Sequence, residues 1–195
     1  MESKVAHGPG EMILFLDFDG VLHPTWTPSP REGYWLPYNG PMFTSAHVLA
    51  EILRPYRDRI DIVISSTWGA SRSLDALKAL LPDELAERVN DAVHHQLPPL
   101  EDFTRGHEID SRYAEIAYYL TATSYSGKWL ALDDDDDGWP PEQQNHLVHA
   151  DRDLGSEPVQ QRLRDALREQ LGRMPIGDSP GPRESAGGLN PGRSR

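Results

Sequence analysis

Met12-Ile13-Leu14-Phe15-Leu16-Asp17-Phe18-Asp19-Gly20-Val21 is the stretch on which the reading of the fold turns. Its first five residues are continuously apolar and too few for a helix, which suits a strand buried on both faces, as in a parallel sheet covered by helices. Two carboxylates follow at once. In an extended segment residues two apart face the same way, so Asp17 and Asp19 can both point into one site, and Gly20 lets the chain turn sharply behind them. Carboxylates this close repel each other, and a bound cation is the simplest means of keeping both charged at neutral pH.

Outward from this stretch, short apolar runs alternate with helical periods, the pattern of β/α units around a parallel sheet. Ile60–Ile64 predicts a second strand, 129–132 a third and 146–149 a fourth. Ser45 is placed to cap a helix carrying Val48, Leu49, Ile52 and Leu53, and Ser71 or Ser73 to cap one carrying Leu74, Leu77, Leu80 and Leu81. Helical stretches are also expected over 83–93, 109–120 and 159–171. The segment 23–44 follows neither period; its five prolines lie among Trp26, Tyr34, Trp35, Tyr38 and Phe43, which favours an ordered lid. The expectation is an α/β, Rossmann-like three-layer sandwich over 11–171, with 23–44 as a minimal loop cap. Residues 172–195 are rich in Gly and Pro and nearly free of large apolar side chains, so they read as a disordered tail.

The chain has 195 residues, 19 Lys and Arg against 31 Asp and Glu, and a formal net charge of −12. Extended duplex nucleic acid or an anionic membrane would require a basic surface, and this balance disfavours both. The absence of cysteine excludes disulfides, a thiolate nucleophile and a cysteine-type zinc site. No run of about 18 apolar residues occurs and the first ten residues lack a signal-type apolar run, so a cytoplasmic location is expected.

Two more features lie just beyond strand ends, where open α/β sheets gather their ligands. One is Ser65-Ser66-Thr67-Trp68 and the other is the acidic run Asp133 to Asp137. Each alone reads as an ordinary cap or solvated loop; all three at strand ends, in this order, indicate one site. His94, His95, His146 and His149 lack metal-site spacing and read as solvated or core side chains. His23, close behind the first feature, is a candidate substrate contact. Trp26, Tyr34 and Trp35 either stack on a ring of the substrate or pack the lid onto the domain.

Ile13 to Val21 resembles the first motif of the haloacid dehalogenase superfamily of phosphohydrolases, Ile62 to Ser66 its second and Leu130 to Asp134 its fourth. More narrowly, Leu22-His23-Pro24, Ser65 to Trp68 and Arg112 to Leu120 are similar to the small domains of this superfamily associated with Swiss Army Knife RNA-repair proteins. The resemblance implies a Mg²⁺-dependent phosphomonoesterase acting through an aspartyl-phosphate, on a nucleotide or nucleic-acid end. It implies Asp17 as nucleophile, Asp19 as acid and base with its carbonyl on the metal, and Ser66 as a phosphoryl contact, with Ser65, Thr67 and Gly20 around the phosphate. Asp134 would ligate the metal, and Asp133 or Asp137 would hold its water. For the basic residue that neutralises the phosphoaspartate, Arg112 is favoured and Arg105 is second. Lys128 opens its strand, and five residues at about 3.3 Å each put it on the order of 16 Å from the catalytic end. A binding module that keeps the fold without turnover and a phosphotransferase are the alternatives.

Overall fold

A computed structural model describes residues 10–28, 35–98 and 109–172. In chain order the elements are β1 (Met12–Leu16), β2 (Trp26–Pro28), β3 (Trp35–Pro37), α1 (Ala46–Leu53), β4 (Ile60–Ile64), α2 (Leu74–Lys78) and α3 (Asp83–Ala86). There follow β5 (Val89–Ala92), α4 (Arg112–Ala122), β6 (Lys128–Asp133), β7 (Leu147–His149) and α5 (Glu157–Leu171). The five-stranded sheet has the order β5-β4-β1-β6-β7 and all its pairings are parallel.

β1 is central because every one of its side chains is apolar and can be buried. Its odd and even residues serve opposite faces, as the two-residue period requires. Met12, Leu14 and Leu16 join the layer holding Leu49, Leu53, Leu163 and Leu167 of α1 and α5, whereas Ile13 and Phe15 pack with Ile116 and Tyr119 of α4. The result is the expected three-layer α/β sandwich. From β1 the chain builds outward through β4 to β5, then crosses back to lay β6 on the other side of β1 and β7 beyond it. The order therefore reverses between β1 and β6, and the crevice at their carboxyl ends is the topological switch point.

Two expectations need correction. The helix expected over 83–93 stops at Ala86, and Val89–Ala92 forms an edge strand beside β4. Apolar Val89, Ala92 and Val93 suited either period, and the free edge of β4 decided between them. The cap expected to be a loop carries an antiparallel ribbon of β2 and β3 that pairs Trp26 with Pro37 and Pro28 with Trp35. Residues 29–34, Tyr34 among them, lie outside the described residues, as does the tail from residue 173. No described helix is long and apolar enough to cross a membrane.

Candidate active site

The site stands on the ends of β1, β4 and β6. In register Leu16 faces Ile64 on one side and Leu132 on the other. The Asp17 amide donates to the Leu132 carbonyl at 3.1 Å and the Ser65 amide to the Leu16 carbonyl at 2.9 Å. These bonds extend the parallel ladder by one residue, so the backbones at Asp17, Ser65 and Asp133 are held as firmly as the strands.

Asp17 is 4% exposed and Asp133 is wholly buried, whereas Asp134 is exposed. One carboxylate oxygen from each lies within 4.8 Å of the others. Burial pushes the Asp17 carboxyl up to about 6 against the opposing pull of the Arg112 guanidinium, and the nearby Asp134 charge adds to the rise. Burial, with Asp17 close by, raises Asp133 further, to about 8. Asp133 Oδ2 is buried, with Arg112 Nε as its ion-pair partner. Three converging hard carboxylate oxygens fit a hard divalent cation that keeps some of its waters, such as Mg²⁺.

Arg112 is the first residue of α4, whose N-cap Ser111 accepts a hydrogen bond from the Ala114 amide. From there its guanidinium reaches into the acidic cluster, with Nη2 3.6 Å from Asp17 Oδ1 and Nε 3.1 Å from Asp133 Oδ2. Its third branch pairs with Glu115 one turn along the helix. Lys128 lies opposite Met12 at the far end of the sheet, where its Nζ donates to the Gln170 carbonyl. Arg105 falls outside the described residues.

Asp19 takes a different position from Asp17. Its carboxylate is outside the three-carboxylate cluster and accepts from Trp68 Nε1 at 2.8 Å through one oxygen. Its other oxygen lies 3.0 Å from His23 Nε2. The turn between them brings the Val21 and Leu22 amides onto the Phe18 carbonyl, which lets Asp17 and Asp19 diverge. Gly20 sits at φ +73, and a Cβ there would fall 2.0 Å from Asp134 Oδ2. Both the backbone conformation and the close approach of the acidic loop therefore require glycine.

His23, expected as a substrate contact, is 1% exposed and lies beneath the site among Phe18, Phe43 and Trp68. Its placement suits holding Asp19 and not touching a ligand. Ser65 and Ser66 are wholly buried. The hydroxyls of Ser65 and Ser66 both lack a hydrogen-bond partner within the protein, and that of Ser66, beside Asp17, holds back the rise of that carboxyl's pKa. Thr67 is exposed at the start of a 3-10 turn that runs to Ala70. Asp137 is exposed and stands outside the cluster, its amide donating to Asp135.

Sequence reasoning assigned no role to Trp68, Glu115 or His149. The signal for Glu115 is its i+3 spacing from Arg112, which places both on one helix face. His149, at the end of β7, lies 3.0 Å through Nε2 from the Asp134 carbonyl and so steadies the acidic loop from below.

A parallel sheet whose central strand ends in Asp-x-Asp, facing an acidic pair on the adjacent strand, defines a domain of the haloacid dehalogenase superfamily. The family model described as the HAD domain in Swiss Army Knife RNA repair proteins matches residues 13–160, and the chain belongs to that family. At this level it is a HAD-type phosphohydrolase domain. No curated protein and no solved structure gives a significant match.

Proposed function

We propose that the chain is a Mg²⁺-dependent phosphomonoester hydrolase that acts through an aspartyl-phosphate on Asp17. The observation that carries this reading is the division of labour between the two carboxylates of the first motif. Asp17 is buried beside Arg112, Asp133 and Asp134, whereas Asp19 is drawn aside by Trp68 and His23. Two carboxyl groups in distinct environments can serve as nucleophile and as acid and base.

In the first step an Asp17 oxygen forms a bond to phosphorus as the ester P–O bond breaks, and the leaving oxygen takes a proton from Asp19. In the second step water attacks the aspartyl-phosphate and gives a proton back to Asp19, releasing inorganic phosphate and restoring Asp17. Ser66 and Arg112 would hold the equatorial phosphoryl oxygens, with Arg112 offering a fork matched to them. Asp17, Asp134, the Asp19 carbonyl and, through water, Asp133 would hold the cation. When bound, that cation would offset the repulsion between the carboxylate and the phosphate.

The test is Asp17→Asn, which keeps shape and hydrogen-bonding capacity and removes the nucleophile. Mg²⁺-dependent hydrolysis of an aryl phosphate should fall about a thousandfold or more. Activity that survives the substitution overturns the assignment.

A further inference from the structure

Next to the acidic cluster an open cavity of about 1080 Å³ is lined by Gly20 and Asp134, by Trp26 and Tyr38 of the cap, and by Arg152. Of the residues at the site only Gly20 and Asp134 line it, so the cavity opens beyond the acidic loop, on the side of the cap. Trp26 is 54% exposed, an unusual cost for so large an apolar side chain on a ribbon of only three-residue strands. The cap is tied down around it: the Tyr38 amide donates to the Thr25 carbonyl at 2.9 Å, and the Tyr38 hydroxyl donates to the Pro41 carbonyl at 3.1 Å. The indole is thus presented on a fixed platform.

Arg152 lies in the turn after β7 and has no carboxylate partner among the described residues. Its two acidic neighbours are engaged elsewhere: Asp151 pairs with Arg162, and Asp153 accepts from the Ser45 hydroxyl and the Gly155 amide. Arg152 is exposed on the cavity wall and, with no ion pair among the described residues, its guanidinium is available to an anion. An exposed aromatic face and a free guanidinium flanking one phosphate-processing site match a single ligand chemistry, an aromatic base carrying a second phosphate.

We propose that this cavity is the leaving-group site for a nucleoside unit that bears one phosphomonoester and a second phosphate, with its base stacked on Trp26 and its second phosphate held by Arg152. The proposal rests on the phosphatase reading for the role of the acidic cluster. The same chemistry is offered by a free nucleoside 3′,5′-bisphosphate and by the terminal phosphate of an oligonucleotide, whose next phosphodiester is the second anion.

The test has two arms. In the first, binding of adenosine 3′,5′-bisphosphate and of an end-phosphorylated tetranucleotide to the full-length Asp17→Asn protein is measured by calorimetry with Mg²⁺ present. Stacking of one base supports a loss of about tenfold in affinity for Trp26→Ala, with recovery in Trp26→Phe. A comparable loss is expected for Arg152→Gln, confined to ligands that carry the second phosphate. In the second arm, the ratio of kcat/KM for the bisphosphate to kcat/KM for glycerol 2-phosphate should fall about tenfold in the same two variants of the active protein. Tighter binding of the tetranucleotide assigns the site to nucleic-acid ends, and equal binding assigns it to the free nucleotide. Affinities that Trp26→Ala and Arg152→Gln leave unchanged, or a preference for a phosphotyrosine peptide, overturn the proposal. If nucleotide binding responds to both variants but no phosphate ester is hydrolysed, the site stands and the phosphatase reading falls.

Discussion

At the scale of single residues, the difference between Asp17 and Asp19 is made by their neighbours. Asp19 is partly exposed, and two rings fix its direction: the Trp68 indole donates to one oxygen and His23 contacts the other. Trp68→Phe keeps the edge-to-face packing with Phe18 and Phe43 and removes only the donor. A hydrogen bond to a charged group contributes about 1.5–3 kcal/mol. The variant should therefore lose about ten- to a hundredfold in kcat with little change in KM. The loss should be larger on an alkyl phosphate, whose leaving oxygen needs a proton, than on p-nitrophenyl phosphate. Equal losses on both would remove acid catalysis from Asp19. Gly20 makes a second residue-scale case, since any side chain there meets Asp134 and forces an L-residue to φ +73. Gly20→Ala is expected to lower stability by about 1–3 kcal/mol, and to abolish the rise in Tm on adding Mg²⁺, both read by thermal unfolding.

At the scale of elements, legibility in the sequence followed the strength of the local pattern. β1 and β4 match the expected spans at both ends: β1 is a continuous apolar run, β4 is β-branched but for Asp61, and the flanking residues of both are polar. β5 was not legible as a strand. Its Asp91 is buried and bonded to the Ala92 amide, to Gln96 and to the Tyr119 hydroxyl of α4, and the last of these comes from a distant segment that leaves no local trace. Arg88, just before β5, shows the same limit. Its sequence context is that of a helix surface, yet it is buried and donates to the Ile60, Leu53 and Tyr56 carbonyls, tying β5 to the start of β4 and the end of α1. In the site, β periodicity placed the strand ends that carry Asp17, Ser66 and Asp133, and the choice of Ser66 over Ser65 rested on the resemblance to the family's second motif. Glu115 had only its i+3 spacing from Arg112 to mark it, and Trp68 and His149 had no local mark, because their roles depend on how a turn and an edge strand meet the site. Arg88→Met should lower unfolding free energy by about 2–4 kcal/mol, since it orphans three buried carbonyls. Chemical denaturation measures the loss, and Mg²⁺ affinity should be unchanged because Arg88 lies at the opposite end of the sheet.

At the scale of the whole molecule, the acidic cluster should make stability depend on pH and, on the proposed reading, on divalent cation as well. A carboxyl whose pKa rises on folding contributes stability that is full below its unfolded pKa and is lost as the pH climbs through its folded one. Asp17, raised from 3.8 to about 6, and Asp133, raised from 3.8 to about 8, both behave this way. In chelator, the protein should therefore lose stability as the pH rises from about 4 to about 8, by at most about 1.4 kcal/mol per pH unit for each group that has not yet ionised in the fold. A cation bound by the same carboxylates favours their ionised forms, so saturating Mg²⁺ should flatten this slope and stabilise most at the upper end of the window. Its binding near pH 7 should also release a proton, taken mainly from Asp133, which calorimetry in buffers of different ionisation enthalpy would detect. Asp133→Asn separates the contributions: it removes the slope above about pH 6, where Asp133 alone contributes, and the proton release, while Asp17 and Asp134 remain. An unfolding free energy in chelator that is flat or rising between pH 5 and 8 would mean that Arg112 alone neutralises the cluster, and that no cation is needed to hold it.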